Sequence, residues 1–421
     1  MQYVDPRYVQ YTEPTLSYWN ICKMIEALLH HCEKHNITIW AEFGTLIGLK
    51  RHGQSIIPWD YDGDFGIFLE NKERFLETFA QEKPSDIVLD IGYYNDTGCM
   101  ALRVDGNDVD IVDIIFYENK ENVIDSMQND TTKKDYPSND GYCYFKEDFY
   151  PLTKTLMLGH LVYCPNKWEK ILAVHYENWT EYPIQFQNYI LPKFLASPFK
   201  EIECITVENF DQLRKLVETK NTPFIIKKTN FLDCSLEQFE KLINNQQNNI
   251  FGYGSSITWN VQESNAKTVW DKFLSKNLEF NIVDSPTDDK SIVPLDWNTY
   301  VENKLGEKYN YALTWIMTNK PKITHFHIDP DYAGGYMKLL EGEKIWWCIA
   351  PNDYHYLLDK GHSVSTLAEL EIHKLMQLEK SYLFGKIHID TITDGDLLWF
   401  PIDTLHKVIT TRDSYGFGGY L

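Results

Sequence analysis

Thr324-His325-Phe326-His327-Ile328-Asp329 is the stretch whose reading decides the fold of the C-terminal half. A strand sends alternate side chains to opposite faces, so His327 and Asp329 project together and can grip one metal ion. His406, far downstream, offers a third ligand. Two imidazoles and one carboxylate on one side of an ion leave coordination positions open, as in non-haem Fe(II) oxygenases, with zinc as the rival ion. A lone His-x-Asp triplet is usually a surface or satisfied polar pair, so the flanking sequence has to decide.

Working outward, residues 336–340 and 344–349 read as two strands about a short turn, Glu341-Gly342-Glu343. Lys344, Trp346 and Cys348 then share one face, and a lysine buried there requires an anion. The stretch 395–401 is a turn and an apolar strand that carries the chain to His406. Gly416-Phe417-Gly418-Gly419 closes the sequence in a glycine-rich strand. Together THFHID (324–329), EGEK (341–344), DLLWFPIDTLHKV (396–408) and GFGGYL (416–421) resemble the JmjC family of 2-oxoglutarate oxygenases, particularly the histone lysine demethylases. The resemblance implies that His327, Asp329 and His406 hold Fe(II). It implies further that Lys344 and the Thr324 hydroxyl bind the distal carboxylate of 2-oxoglutarate, with Asn281 as another cosubstrate contact. Thr324 lies three residues from His327 and reaches the same pocket only if a bulge breaks the alternation.

A second chemical stretch lies near the N-terminus, where Gly44-Thr45 reads as a turn after a strand at 38–43 and leads to IIPWDYDGDFGIFLE (56–70). Asp60, Asp62 and Asp64 alternate ahead of an apolar run, which places their carboxylates on one strand face. Such a row repels itself unless a divalent cation with oxygen ligands joins it. A solvated acidic turn is the bland rival. An EF-hand loop is excluded, because Phe65 stands where that loop needs glycine and Asn71 where it needs a bidentate glutamate. Residues 109–116 supply a second strand in which Asp110 and Asp113, three apart, cannot both face the metals; Asp113, which precedes the apolar half, is the expected ligand. Gly44, Thr45 and Arg51 are the candidate contacts to a donor's phosphates, with Lys50 and Arg103 beside them.

FGTLIGLKRHG (43–53), the aspartate motif, VDIIFY (112–117) and YCPNKWEKILAVHYENW (163–179) resemble the LicD family, which includes the fukutin-related phosphotransferases. The resemblance implies transfer of a phospho-alditol or phosphocholine unit from a CDP-linked donor to a hydroxyl, with Mg(II) or Mn(II) held by Asp62, Asp64 and Asp113. Gly63 departs from the pattern, since relatives carry an apolar residue there, and a membrane anchor like that of the eukaryotic relatives is not expected.

The 421 residues exceed one ordinary core and predict at least two domains. A net charge of -21 argues against non-specific nucleic-acid binding and leaves a protein or small molecule as the hydroxylatable acceptor. With no signal peptide or membrane span, the expected location is the cytoplasm or nucleus. Eight cysteines without a CxxC pair predict reduced thiols. Apolar residues spaced by three and four predict a helix over 16–35, with further helices at 164–182, 210–217 and 236–243 and a strand at 222–228. Residues 119–140 read as a polar insertion, a candidate lid.

The expected architecture is an α/β nucleotidyltransferase-like domain followed by an all-β double-stranded β-helix (cupin/JmjC) domain with flanking helices. The boundaries are 1–188 for the phosphotransferase, 189–198 for the linker and 199–421 for the oxygenase. The expected function is a bifunctional enzyme whose two activities act in sequence on one acceptor. The alternatives are a demethylase whose N-terminal domain only docks, and a non-enzymatic binding protein.

Overall fold

The computed structural model describes residues 14–91, 99–126, 143–176, 179–180, 197–246, 250–255, 258–263, 265–278, 281–287, 289–306, 308, 312–329 and 333–421. The chain forms two compact units: Met1–Phe199 with Glu371–Gly385, and Lys200–Leu370 with Lys386–Leu421. The first is mixed α/β and the second is rich in β-structure. Residues 189–196 of the expected linker, and 127–140 of the expected lid, lie outside the described residues. Among the described residues, no helix is long and apolar enough to cross a membrane.

The first unit opens with α1 (Leu16–Lys34), started by Thr15, whose hydroxyl accepts from the Tyr18 amide at 3.1 Å. Ile21, Ile25, Leu28 and Cys32 make its buried stripe. The strands β1 (Ile39–Ala41), β2 (Asp62–Phe68), β3 (Ile87–Asp90), β4 (Cys99–Val104), β5 (Ile111–Asn119), β6 (Val123–Ser126), β7 (Cys143–Phe145), β8 (Thr153–Met157) and β9 (His160–Cys164) form one sheet. Its main order is β3-β4-β5-β2-β1-β9-β8, with β6 on β5 and β7 on β6. The parallel pair β2 and β5 sits at its centre in the register Asp62 to Ile111 and Asp64 to Asp113.

Two sequence expectations change here. Gly44 and Thr45 do not form a free turn: they lie in the first turn of α2 (Phe43–Arg51). Phe43 takes a φ of 43°, which redirects the chain at once, and the Leu46 amide bonds the Glu42 carbonyl at 2.9 Å to begin the helix. Among the described residues, the helix expected over 164–182 occupies Trp168–His175; Cys164 still belongs to β9, and 177–178 and 181–182 lie outside the described residues.

The segment Glu371–Gly385 joins the first unit through Ile372–Ser381, a helix interrupted at Leu378, Glu379 and Lys380, where the backbone leaves helical angles. Buried Glu26 of α1 accepts from the Ile372 amide at 2.6 Å, the His373 amide at 3.2 Å and His373 Nδ1 at 2.8 Å. The same carboxylate stands 3.9 Å from His160.

β10 (Phe199–Lys200) falls on the boundary, and the second unit contains β11 (Glu203–Cys204), β12 (Phe224–Ile226), β13 (Ile250–Ser255), β14 (Thr258–Glu263), β15 (Ile282–Pro286), β16 (Thr314–Thr318), β17 (Lys322–His327), β18 (Gly335–Ile349), β19 (Ile387–Thr393), β20 (Leu397–Phe400) and β21 (Leu405–Tyr420). The main order is β11-β12-β20-β18-β21-β16-β15-β13-β14, with β17 on β21 and β19 on β18. Aromatic residues including Trp297, Trp315, Phe239 and Phe417 pack its largest core. The helices Phe210–Thr219 and Leu236–Asn245 cover the expected positions and extend slightly beyond them.

The expected hairpin at 336–349 is instead one strand, β18, fifteen residues long. Its pairing with β21 slips at Leu339, Glu341 and Glu343 without reversing direction. Gly342, at φ 127°, permits this bulge, and a Cβ there would fall 2.1 Å from Ser414 Oγ. Past the bulge, β18 leaves β20 for β19 while staying on β21.

Glu26 supplies a stability prediction. Burial opposes its charge, yet contacts with His160 and His373 hold its carboxyl well below the ordinary range. His160 is pushed up to about 9: burial alone would lower it, but Glu26 and Glu33 outweigh that. A depressed acid gives stability that vanishes as pH falls below about 4.3, and a raised histidine gives stability that fades as pH rises from about 6.5. The thermal midpoint is therefore expected to contain a local maximum between those values, flattened on both sides in Glu26→Gln. Glu26→Ala should cost about 3–5 kcal/mol by stranding buried partners. Unfolding curves across pH for the three proteins check this, and parallel profiles would count against it.

Candidate functional site

The second unit brings His327, Asp329 and His406 together, with one ligand atom from each within 4.8 Å of the others. Cross-strand pairing of His327 on β17 with His406 on β21 produces this meeting. Hydrogen bonding then settles the two rings. His327 Nδ1 donates to the His325 carbonyl at 2.8 Å, and His406 Nδ1 donates to the Thr404 carbonyl at 3.0 Å. A carbonyl only accepts, so each Nδ1 carries a proton, and in the neutral ring each Nε2 presents a lone pair. Those Nε2 atoms lie 3.8 and 3.9 Å from Asp329 Oδ1. Three electron-rich atoms thus converge on one point, and a divalent ion removes the conflict. Burial pushes Asp329 up to about 7 and, with His327 beside it, drives His406 well below its usual value.

A cation with no acid beside it lies in the same sheet. Lys344 is buried and donates to Thr410 Oγ1 at 2.8 Å and Thr318 Oγ1 at 3.2 Å. It makes no ion pair among the described residues, and burial lowers it to about 7. An anion would restore its charge. Lys344, Trp346 and Cys348 pair with Thr410, Val408 and His406 in turn, so the ammonium and metal ends share one strip of sheet. At roughly 3.3 Å per residue they begin about 13 Å apart, and the long lysine stem shortens that gap.

The bulge required for Thr324 is present between Thr324 and His327. Thr324 Oγ1 accepts from Asn281 Nδ2 at 2.8 Å, which ties these two residues together across sequence. Buried Asn281 Oδ1 has no hydrogen-bond partner among the described residues, a polar atom aimed at something else. Thr318 and Thr410 escaped the sequence reading, because threonine in a strand ordinarily signals β-propensity alone. The alternation from His406 through Val408 to Thr410 was the available clue.

In the first unit Asp62 and Asp64 stand on β2 and Asp113 faces Asp64 across the parallel pair. Asp60 precedes β2. Burial first, then the charges of Asp62 and Asp113, raise Asp64 well above the carboxylate range. This crowding fits a divalent cation with oxygen ligands. Asp110 is buried elsewhere and accepts from Asn20 at 2.7 Å. Thr45 Oγ1 accepts from the Asp64 amide at 2.8 Å, so the threonine positions the strand. At Gly44 a Cβ would stand 3.0 Å from Asp60 Oδ2, so a larger residue crowds the acidic row. Arg51 donates to the Trp179 carbonyl at 2.9 Å and lies over the Trp59 ring. Lys50 covers Trp168, and Arg103 pairs with Asp90 and Asp108.

Glu42 was not anticipated. It is buried, receives hydrogen bonds from Trp40 Nε1 and from Tyr117 OH at 2.6 Å, and burial raises it to about 8. Its charge would add to the repulsion on Asp64. In sequence it looked like the end of a strand.

Comparison with known proteins supports both halves. Residues 36–167 match the family profile described as LicD/FKTN/FKRP, nucleotidyltransferase domain. An uncharacterized protein of Rickettsia typhi is 29% identical over 183 residues, which is 44% of this chain and 53% of its own length. The human ribitol 5-phosphate transferase FKRP is 54% identical over 39 residues, 9% of this chain and 8% of its own. The histone lysine demethylase PHF8 of Danio rerio is 29% identical over 142 residues, 33% of this chain and 13% of its own. The chain thus spans about half or less of the length of these relatives. It carries a LicD domain in its N-terminal region and resembles JmjC demethylases over another part.

Replacing Asp64 by asparagine tests the first-unit site. A carboxyl whose proton is favoured in the fold costs stability once pH passes its unfolded value of about 3.9. Without divalent ions at neutral pH, Asp64→Asn is expected to unfold at a higher temperature than wild type. In a His327→Ala background, which silences the second unit's site, Mn(II) should raise the midpoint of the Asp64 protein and leave that of Asp64→Asn unchanged. Calorimetry with and without Mn(II) decides, and an equal rise in both proteins would remove Asp64 from the metal site.

Proposed function

We propose that the chain is a bifunctional enzyme, with an Fe(II)/2-oxoglutarate oxygenase in the second unit and a CDP-donor phosphotransferase in the first. The observation that carries the oxygenase reading is the pairing of a His327–Asp329–His406 cluster with a buried, acid-free Lys344 in one sheet. A structural metal site has no use for that ammonium, whereas a dicarboxylate cosubstrate supplies the missing charge. We read the β-rich unit as a double-stranded β-helix, a reading supported by the long strands β18 and β21, each of which changes partners along its length.

With iron bound, the group would supply oxidation of a C–H bond by dioxygen, one oxygen atom going to the new hydroxyl and the other to succinate as 2-oxoglutarate loses CO2. The protein's share is orientation. His325 and Thr404 carbonyls keep the two ligand imidazoles in one tautomer. Lys344, steadied by Thr318 and Thr410, would hold the distal carboxylate, and Thr324 with Asn281 would line its flank. Trp346 stacks on His406 with ring centroids 5.4 Å apart and limits that ring's rotation.

In the first unit Asp62, Asp64 and Asp113 would hold Mg(II) or Mn(II), the ions that screen charge on a transferring phosphoryl group. The proposed product is a phospho-alditol or phosphocholine ester on a hydroxyl. A hydroxyl installed by the second unit is a chemically suitable acceptor for the first, which makes the two activities a sequence.

Succinate formation by anaerobically reconstituted Fe(II) protein tests the oxygenase. Wild type should turn over 2-oxoglutarate, more quickly with an accepted peptide, methyl-lysine peptide or small molecule. His327→Ala should abolish turnover, while Lys344→Met should keep iron and raise the KM for 2-oxoglutarate by at least about tenfold, the loss of one charge-assisted contact. Absence of turnover from iron-loaded wild type with every acceptor would leave only the transferase reading.

A further inference from the structure

Among the described residues, two other groups of histidine and glutamate stand close enough to hold an ion: His30, Glu33 and His160, and His31, His35 and Glu82. Their proton accounts differ. His160 turns Nδ1 towards Glu33 at 3.2 Å and Nε2 towards Glu26 at 3.9 Å. An imidazolium satisfies both carboxylates, so that group is complete without a metal.

In the second group one lone pair is left without a donor among the described residues. His31 and His35 lie one turn apart at the end of α1 and share a face. Glu82 ends α3 (Lys72–Glu82), and Thr78 lies one turn before it. Thr78 Oγ1 donates its proton to the Arg74 carbonyl at 2.7 Å. It therefore accepts from His31 Nε2, 3.0 Å away. The His31 proton is thereby assigned to Nε2, and Nδ1 presents a lone pair.

That lone pair faces Glu82 Oε2 at 3.4 Å. His35 Nε2 donates to the same oxygen at 2.8 Å, a proton that a bound metal would displace. Phe75 and Phe79 present their rings to His31 at 5.6 and 5.1 Å, which holds it in place and keeps water from that side. Lys34 takes the other Glu82 oxygen at 2.9 Å, so Oε2 is left as the inward-facing donor.

Nitrogen and oxygen ligands at about 2.0–2.1 Å from a tetrahedral ion are about 3.4 Å apart, which is the His31–Glu82 spacing. The His35–Glu82 contact needs to open by only about half an ångström to match. We propose that His31 Nδ1, His35 Nε2 and Glu82 Oε2 bind a zinc-class transition metal with one position left to solvent, tying the end of α1 to the end of α3. Imidazole ligands select such an ion over Mg(II) or Ca(II). The proposal depends on neither proposed activity.

The test uses the full chain carrying His327→Ala and His406→Ala, so that the other imidazole site is silent, in excess Mg(II) to fill the all-oxygen site. Chelator-treated protein is titrated with Co(II) and then Zn(II). One equivalent of Co(II) with the visible bands of a four-coordinate ion, displaced by Zn(II), is expected. Adding either His35→Gln or Glu82→Gln should weaken binding by at least about tenfold, the scale of a lost ligand-shell contact. Zn(II) should raise the thermal midpoint of the parent and leave the His35→Gln protein unchanged. Both substitutions fall on surface-reaching side chains, so circular dichroism should show an intact fold. Equal affinity in parent and both variants, no visible bands, or loss of binding on His160→Gln with none on His35→Gln would each overturn the assignment.

Discussion

The second unit depends on the register of β21. Over sixteen residues this strand pairs with β16, β17 and β18, and its period-two alternation places His406, Val408 and Thr410 on one side. His327 comes to His406, and Lys344 comes to Thr410, through those ladders alone. A slip of one residue would turn every one of these side chains to the opposite face. The bulges at Gly342 and after Thr324 are therefore part of the site, since they shift the alternation while pairing continues on either side.

Among the described residues, each candidate site gathers charge at a cost, like charges in one and a buried lone charge in the other. In the first unit, carboxylates are stacked until Asp64 resists ionising; in the second, an ammonium is buried with only hydroxyls around it. Each is costly in isolation and each has the opposite remedy, a divalent cation in one and an anion in the other. The tautomers at His327 and His406 add a third case, because neighbouring carbonyls hold their protons away from Asp329. Local hydrogen bonding thus prepares a ligand set before any ion arrives.

The first unit shows how far a boundary drawn along the chain can differ from one drawn in space. Glu371–Gly385 returns to it late in the sequence, and Glu26 receives the start of that helix through backbone amides as well as His373. A carboxylate at a helix N-terminus answers both the unpaired amides and the helix dipole. Nothing in the local pattern of Ile372–Ser381 reveals that partner, which lies 346 residues away.

Short-range periodicity by itself determined α1, the buried β2 and β5 runs, and the residue types able to bind metals, because these follow from spacing within a few residues. It also identified the isolated charge of Lys344, whose apolar neighbours are written beside it. Tertiary structure alone decided that Glu341-Gly342-Glu343 is a bulge within one strand, since a glycine at positive φ serves a turn or a bulge equally and only the Ser414 strand alongside distinguishes them. It alone recruited Thr318, Thr410 and Glu42, whose roles come from partners distant in sequence. The physical reason is the same throughout: backbone preference is local, whereas the register of a ladder and the solvation of a buried charge are set by whichever strands and helices come to lie beside them.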